Sequence, residues 1–197
     1  CFPINENLHI DEYVSYVNIH LSNFPSMIFA FETALYDIYC QKLGTSIASC
    51  FNKKNANIIS LSTMFSADDE RMPYFDTVKY KIGVNDLSKD LAVMNNLNSK
   101  KTMQFRLDAN QSLELKDFLF IDKKKNNLNI QYIEEPYQNL NENKLKELKS
   151  KTSFKIAIDD SVYKNELYKD WIKKNLIDYL IIKPSIFGGY ADFFNLV

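Results

Sequence analysis

Apolar positions along the chain change rhythm near residue 57. Before that point they recur at helical spacing. "IDEYVSYVNIHLSN" is a short amphipathic pattern, and "PSMIFAFETALYDIYCQKLG" sets Pro25 near a helix start and Gly44 just past its end. Proline suits a first turn whose N–H groups have no helical partner, and glycine tolerates the left-handed turn that ends a helix. Ile28, Phe31, Leu35 and Ile38 follow helical spacing and predict a core-facing stripe. From Asn57 onward, short apolar segments ("NIISLSTMF", "DTVKYKIG", "MQFRLDAN", "NIQYIEEP", "FKIAIDDS", "DYLIIKPS") alternate with helix candidates such as "DLSKDLAVMNNLNS", "QSLELKDFLFIDKK", "NENKLKELKSK" and "YKNELYKDWIKKN". Strand and helix in alternation predict an α/β fold with a parallel sheet and crossover helices.

The strand ends carry charge at a regular interval. Lys81, Asp108, Glu134, Asp159 and Lys183 are separated by 27, 26, 25 and 24 residues, one βα unit per step. Ionisable groups delivered to the C-terminal ends of successive strands fit the catalytic face of a (β/α)8 TIM-type barrel. An open doubly wound sheet is the competing architecture, and its ligands gather at a switch point instead. "IFGGY" lacks the spacing of a phosphate-binding glycine loop. Strand parity puts Lys79 and Lys81 on one face. It does the same for Arg106, Asp108 and, if the backbone stays extended, Asn110. Parity also sends Asp159 and Lys183 inward, with Asp160 turned away or on the loop. It does not choose between Glu134 and Glu135, because "QYIEE" has apolar residues on both faces.

Composition removes several function classes. The 197 residues carry 24 basic and 25 acidic side chains, a net charge of −1, so no electrostatic nucleic-acid binder is indicated. No apolar run approaches the roughly 18 residues of a membrane span, and no signal sequence precedes the helices. Cys1, Cys40 and Cys50 are odd in number and form no CxxC pair, which argues against a disulfide framework or zinc site and for a cytoplasmic setting. A chain starting on Cys1 without the polar tether of a lipoprotein reads as a fragment. His9 and His20 stand alone, as surface or core histidines do.

Three carboxylates meeting at one barrel mouth would raise one another's pKa. A hard divalent cation, Mg²⁺ or Mn²⁺, relieves that conflict through oxygen ligands and keeps positions open for water or substrate. Asp108, Glu134 and Asp159 are therefore the candidate metal ligands. Lysines flank them in strand order, and a partly desolvated lysine near other cations can act as a base. Metal plus lysine suits removal of a proton beside a carboxylate, with the metal stabilising the resulting enediolate.

On "KYK", "RLDAN", "IEEP", "IDDS" and "IIKPS" the chain resembles the muconate-lactonizing subgroup of the enolase superfamily. "KYKIGVNDLSKDLAVMNNL" and "IIKPSIFGGY" look most like the o-succinylbenzoate synthases of menaquinone biosynthesis. The resemblance implies Lys81 as the proton-abstracting base and Lys79 as the group that tunes it. It implies Asp108, Glu134 and Asp159 as Mg²⁺ ligands, and Lys183 as the cation that stabilises the enediolate. Asn110 and Arg106 would support the site. Gly188 and Gly189 match a loop where a substrate carboxylate could meet backbone N–H groups, or a simple turn. The implied reaction is dehydration of a succinyl-bearing cyclohexadiene carboxylate, a small-molecule substrate. The alternatives are a racemase or epimerase of N-acylamino acids or dipeptides, and a non-catalytic binding protein.

The resemblance divides the chain into a helical remnant of a capping domain, residues 1–52, and an incomplete barrel, residues 53–197. Six strands are counted against eight in a closed barrel, and the link from "IISLSTMF" to "VKYK" is short for a helical crossover. Residues 1–197 alone are therefore expected to be poorly active.

Overall fold

A computed structural model describes residues 9–51, 60–69, 71–164, 166–190 and 192–193. Cys1 and residues 57–59 of the first predicted strand lie outside the described residues. The chain divides into two compact units, Ser60–Ile181 and Cys1–Ile59 with Ile182–Val197.

The larger unit holds six strands: β1 (Thr63–Phe65), β2 (Thr77–Lys81), β3 (Gln104–Asp108), β4 (Asn129–Glu134), β5 (Ile156–Ile158) and β6 (Tyr179–Leu180). Their order in the sheet is the order in the chain, and every pairing is parallel. A sequential parallel sheet never reverses direction, so it has no switch point. It is the wall of a singly wound barrel, and the doubly wound alternative is excluded. The crossovers are α4 (Leu87–Lys100), α5 (Leu115–Lys124), α6 (Glu142–Lys151), and the pair α7 (Asp160–Lys164) and α8 (Leu167–Lys173). The single helix predicted over "YKNELYKDWIKKN" is thus replaced by two short ones, the first starting directly after β5. No helix crosses between β1 and β2 among the described residues.

Local chemistry sets the helix starts. The Asp86 side chain accepts from the N–H groups of Ser88 and Lys89, and Asn141 accepts from that of Lys144. Each satisfies a donor that a helix start leaves unpaired. Alternation sets the core: Val78, Tyr80, Phe105 and Leu107 are fully buried, leaving Lys79, Arg106 and Asp108 on the opposite face. Tyr80 donates to Asp90 on α4 (3.0 Å), and the other Asp90 oxygen accepts from the Gly83 N–H (3.0 Å), which fixes the β2–α4 turn.

In the smaller unit are α1 (Ile10–His20), α2 (Pro25–Leu43), α3 (Ile47–Phe51) and α9 (Pro184–Phe187). Pro25 opens α2 and Gly44 closes it at φ 64°, as the sequence predicts. The buried face is not the predicted stripe, however. Ile28, Glu32 and Cys40 are buried, Leu35 is half-buried, and Phe31 and Ile38 point outward. A carboxylate occupies the middle of that face. Glu32, fully buried, accepts from Asn18 Nδ2 and from the Tyr190 N–H, both at 2.6 Å.

Candidate functional site

Register decides which strand-end charges stand level. Gln104 and Phe105 pair with Asn129 and Ile130, but Arg106 pairs with Tyr132, because β4 carries an extra residue, Gln131, at that point. Without this bulge Asp108 would face Ile133. With it, Asp108 faces Glu134, so one inserted residue sets the two carboxylates side by side. On the other side Lys81 faces Asp108. Lys81, Asp108 and Glu134 therefore share one height. Asp159 does not, in contrast to the equal height its spacing suggests. Glu134 pairs with Ala157, two residues before Asp159. Strands that tilt in a barrel wall slide past one another in this way.

Two of the three candidate metal ligands meet on one cation, and that cation belongs to the chain. Lys79 Nζ lies 2.8 Å from Glu134 Oε1 and 3.1 Å from Asp108 Oδ2. Burial opposes the charge on Lys79, but Glu134 and Asp108 outweigh it and hold its pKa above the ordinary value. Glu134 is 1 % exposed. Its burial, set against the Lys79 hydrogen bond and reinforced by the charges of Asp108 and Asp159, pushes its pKa up to about 7. Its second oxygen, Oε2, is buried with no hydrogen-bond partner among the described residues.

That pKa has a consequence for the metal-free chain. A carboxyl that binds its proton more tightly when folded makes stability fall as pH rises from the ordinary value of 4.5 to about 7, with no further loss above it. Glu134→Gln should remove this part of the pH profile. Urea unfolding followed by the fluorescence of Trp171, buried in the same unit, measures it. Equal pH profiles for wild type and variant would show that Glu134 is not perturbed.

The neighbouring acid has a different task. Glu135 adopts a left-handed backbone (φ 44°), which turns the chain off β4. Its carboxylate, also buried, accepts from the Asp159 and Ser161 N–H groups, both at 2.8 Å, and from Ser161 Oγ at 3.0 Å. Glu135 thereby ties the end of β4 to the start of α7 and fixes the backbone on which Asp159 sits. Sequence reasoning missed Glu135 and Ser161. The available signal was their separation of about one βα repeat, the distance between two adjacent strand ends.

The other predicted residues scatter. Lys81 is exposed at the end of β2. Asn110 does not continue the strand, because Asn110 (φ 45°) and Gln111 (φ 63°) are left-handed and the chain turns directly after Ala109. Arg106 is committed to β4, donating from Nε to Gln131 (2.7 Å) and lying 5.7 Å from the Tyr132 ring. Lys183 belongs to the smaller unit, as the half-buried residue that precedes α9. Gly188 and Gly189 are buried there, and the next N–H, that of Tyr190, already holds a carboxylate, the chain's own Glu32.

Among the described residues no group of three or more His, Cys, Asp or Glu side chains is gathered closely enough to hold a metal ion. The expected convergence of Asp108, Glu134 and Asp159 on one ion is therefore incomplete, with Lys79 holding Asp108 and Glu134. The donor set still fits a hard cation. Carboxylates end adjacent strands, and the buried Glu134 Oε2 has no hydrogen-bond partner among the described residues. No described helix is long and apolar enough to cross a membrane.

Comparison with known proteins places this geometry. The family model described as "Enolase C-terminal domain-like" matches residues 66–197. The L-Ala-D/L-Glu epimerase of Francisella tularensis subsp. novicida (strain U112) is 25% identical over 177 residues, covering 83% of this chain and 49% of that protein. A muconate cycloisomerase from Azorhizobium caulinodans superposes with a TM-score of 0.77 at 20% identity, over 95% of this chain and 56% of its own. An enolase from Bradyrhizobium, solved with magnesium and mandelic acid, gives 0.71 at 17% identity, over 95% and 57%. The chain thus spans about half the length of the relatives it matches.

Proposed function

The chain belongs to the enolase C-terminal domain-like family, and on that premise we propose that it carries the base-and-metal half of a site that removes a proton beside a carboxylate. The observation behind this reading is the row Lys81, Asp108 and Glu134, set level by the β4 bulge, with an unpartnered buried oxygen on Glu134. Asp108, Glu134 and Asp159 would hold Mg²⁺, which when bound stabilises negative charge developing on the substrate carboxylate. Lys81 is the proton acceptor, exposed where a substrate can reach it. Lys79 is held protonated between Asp108 and Glu134, two residues before Lys81 on the same face of β2. Glu135 positions the Asp159 backbone through Ser161 and the Asp159 N–H.

For the overall reaction we favour epimerisation of a dipeptide or N-acylamino acid, with Lys183 as the second base. The curated epimerase aligned over most of the chain supports this reading. The second reading, an o-succinylbenzoate synthase-type dehydration in which Lys183 acts only as a cation, is favoured by "IIKPSIFGGY".

The test is exchange of the substrate α-proton with solvent deuterium in the full-length gene product with Mg²⁺. Dipeptides, N-succinyl amino acids and the cyclohexadiene dehydration substrate are supplied in turn. Exchange with inversion in the first two classes is expected, falling at least 100-fold in Lys81→Ala. Dehydration without inversion would select the second reading. Mg²⁺ binding with neither reaction would leave a binding protein and reject both.

A further inference from the structure

The smaller unit contains a thiol pair that the site chemistry does not use. Cys40, near the end of α2, is 2% exposed, whereas Cys50, on α3, is exposed. Their sulfurs are 2.7 Å apart. The turn between the helices maintains this approach. Gly44 reverses the chain at φ 64°, the Thr45 N–H returns to the Cys40 carbonyl (2.9 Å), and the Ser46 carbonyl accepts from the Ser49 and Cys50 N–H groups. We propose that Cys40 and Cys50 are a reversible dithiol–disulfide pair, a modification site whose reactant is a small disulfide such as oxidised glutathione.

The two environments assign the order of steps. Cys50 is the sulfur a solvent-borne disulfide can reach. Burial, and then the neighbouring Cys50, raise the Cys40 thiol's pKa, so Cys40 is a poor first nucleophile. Cys50 loses its proton and attacks one glutathione sulfur. A Cys50–glutathione bond forms, and the first glutathione leaves as thiolate and takes up a proton. Cys40, already in contact, then loses its proton and attacks the Cys50 sulfur. The Cys40–Cys50 bond forms, the Cys50–glutathione bond breaks, and the second glutathione leaves as thiolate and takes up a proton. Two thiols are oxidised, one disulfide is reduced, and excess dithiol reverses the exchange. The bond ties α3 to α2 next to Phe51, whose ring stacks on Tyr190 (5.0 Å between centroids) and meets the edge of Tyr36 (4.7 Å). Oxidation should therefore clamp the aromatic cluster that packs against the segment after α9.

The experiment uses the chain with Cys1→Ser, so that only this pair can react. It is incubated with oxidised glutathione, blocked with N-ethylmaleimide, and weighed intact and after digestion. The expected product is about 2 Da lighter, takes up no maleimide, yields one Cys40–Cys50 cross-linked peptide, and recovers both thiols with dithiothreitol. Cys40→Ser should stop at one glutathione on Cys50. Cys50→Ser, a change at an exposed position, should leave Cys40 unmodified. Glutathione retained on the otherwise unaltered chain, two maleimide adducts after oxidation, or cross-links only between chains would each overturn the pair.

Discussion

Asp108→Asn and Glu134→Gln should each weaken Mg²⁺ binding at least tenfold, while Lys79→Met should tighten it several-fold. The first two remove a charged oxygen from a small set of hard donors, a loss typically worth ten- to a hundred-fold when a ligand or its immediate support is lost. The third has the opposite sign because Lys79 Nζ is the cation now shared by Asp108 and Glu134. An incoming divalent ion must share that space with an ammonium or push it aside. At separations of a few ångströms in a partly buried setting such repulsion amounts to several kcal/mol, much of it relieved by side-chain movement. Methionine keeps most of the stem's packing and removes the charge. Isothermal titration of the three variants gives the signs, and circular dichroism shows whether they fold. Unchanged Mg²⁺ affinity in Asp108→Asn would remove these strand ends as the metal site. Weaker binding in Lys79→Met would mean that the ammonium supports the ion.

The barrel wall was legible because charge recurs where a βα unit ends, and this signal does not depend on strand boundaries. The alternation predicts six strand segments, and six strands pair in chain order. Heights were less legible. The bulge in β4 that brings Glu134 level with Asp108 is an insertion of one residue, and nothing in "NIQYIEE" marks Gln131 as extra. Parity could not separate Glu134 from Glu135 because Tyr132 and Ile133 are both buried, as befits a strand covered on both faces. The backbone resolves the ambiguity. Glu134 is the last extended residue, and Glu135 turns left-handed to meet Ser161. On α2 the misread face has a single cause. Apolar periodicity cannot see a buried carboxylate, and of the two partners that make Glu32 tolerable there, Asn18 Nδ2 and the Tyr190 N–H, the second is 158 residues away.

Gly189→Ala should destabilise the smaller unit by about 3 kcal/mol, most of it through Glu32. A Cβ on residue 189 would fall onto the Glu32 carboxylate. A long side chain often yields to such a contact at little cost, but this one is fully buried and held from both sides by Asn18 Nδ2 and the Tyr190 N–H. Moving it leaves a buried carboxyl and two donors unsatisfied in the interior, where each unpaired polar group costs about 1–3 kcal/mol. Glu32→Ala alone should also be costly, since it strands the same two donors. The two changes should not add. Once Glu32 is shortened, the methyl introduced at position 189 has the space the carboxylate left, and the further cost of Gly189→Ala should drop below about 1 kcal/mol. Hydrogen exchange of the α2 amides reports the opening free energy of this unit in all four proteins of the cycle. Additive effects, within about 0.5 kcal/mol, would mean that the cost of Gly189→Ala does not arise from the Glu32 carboxylate beside it.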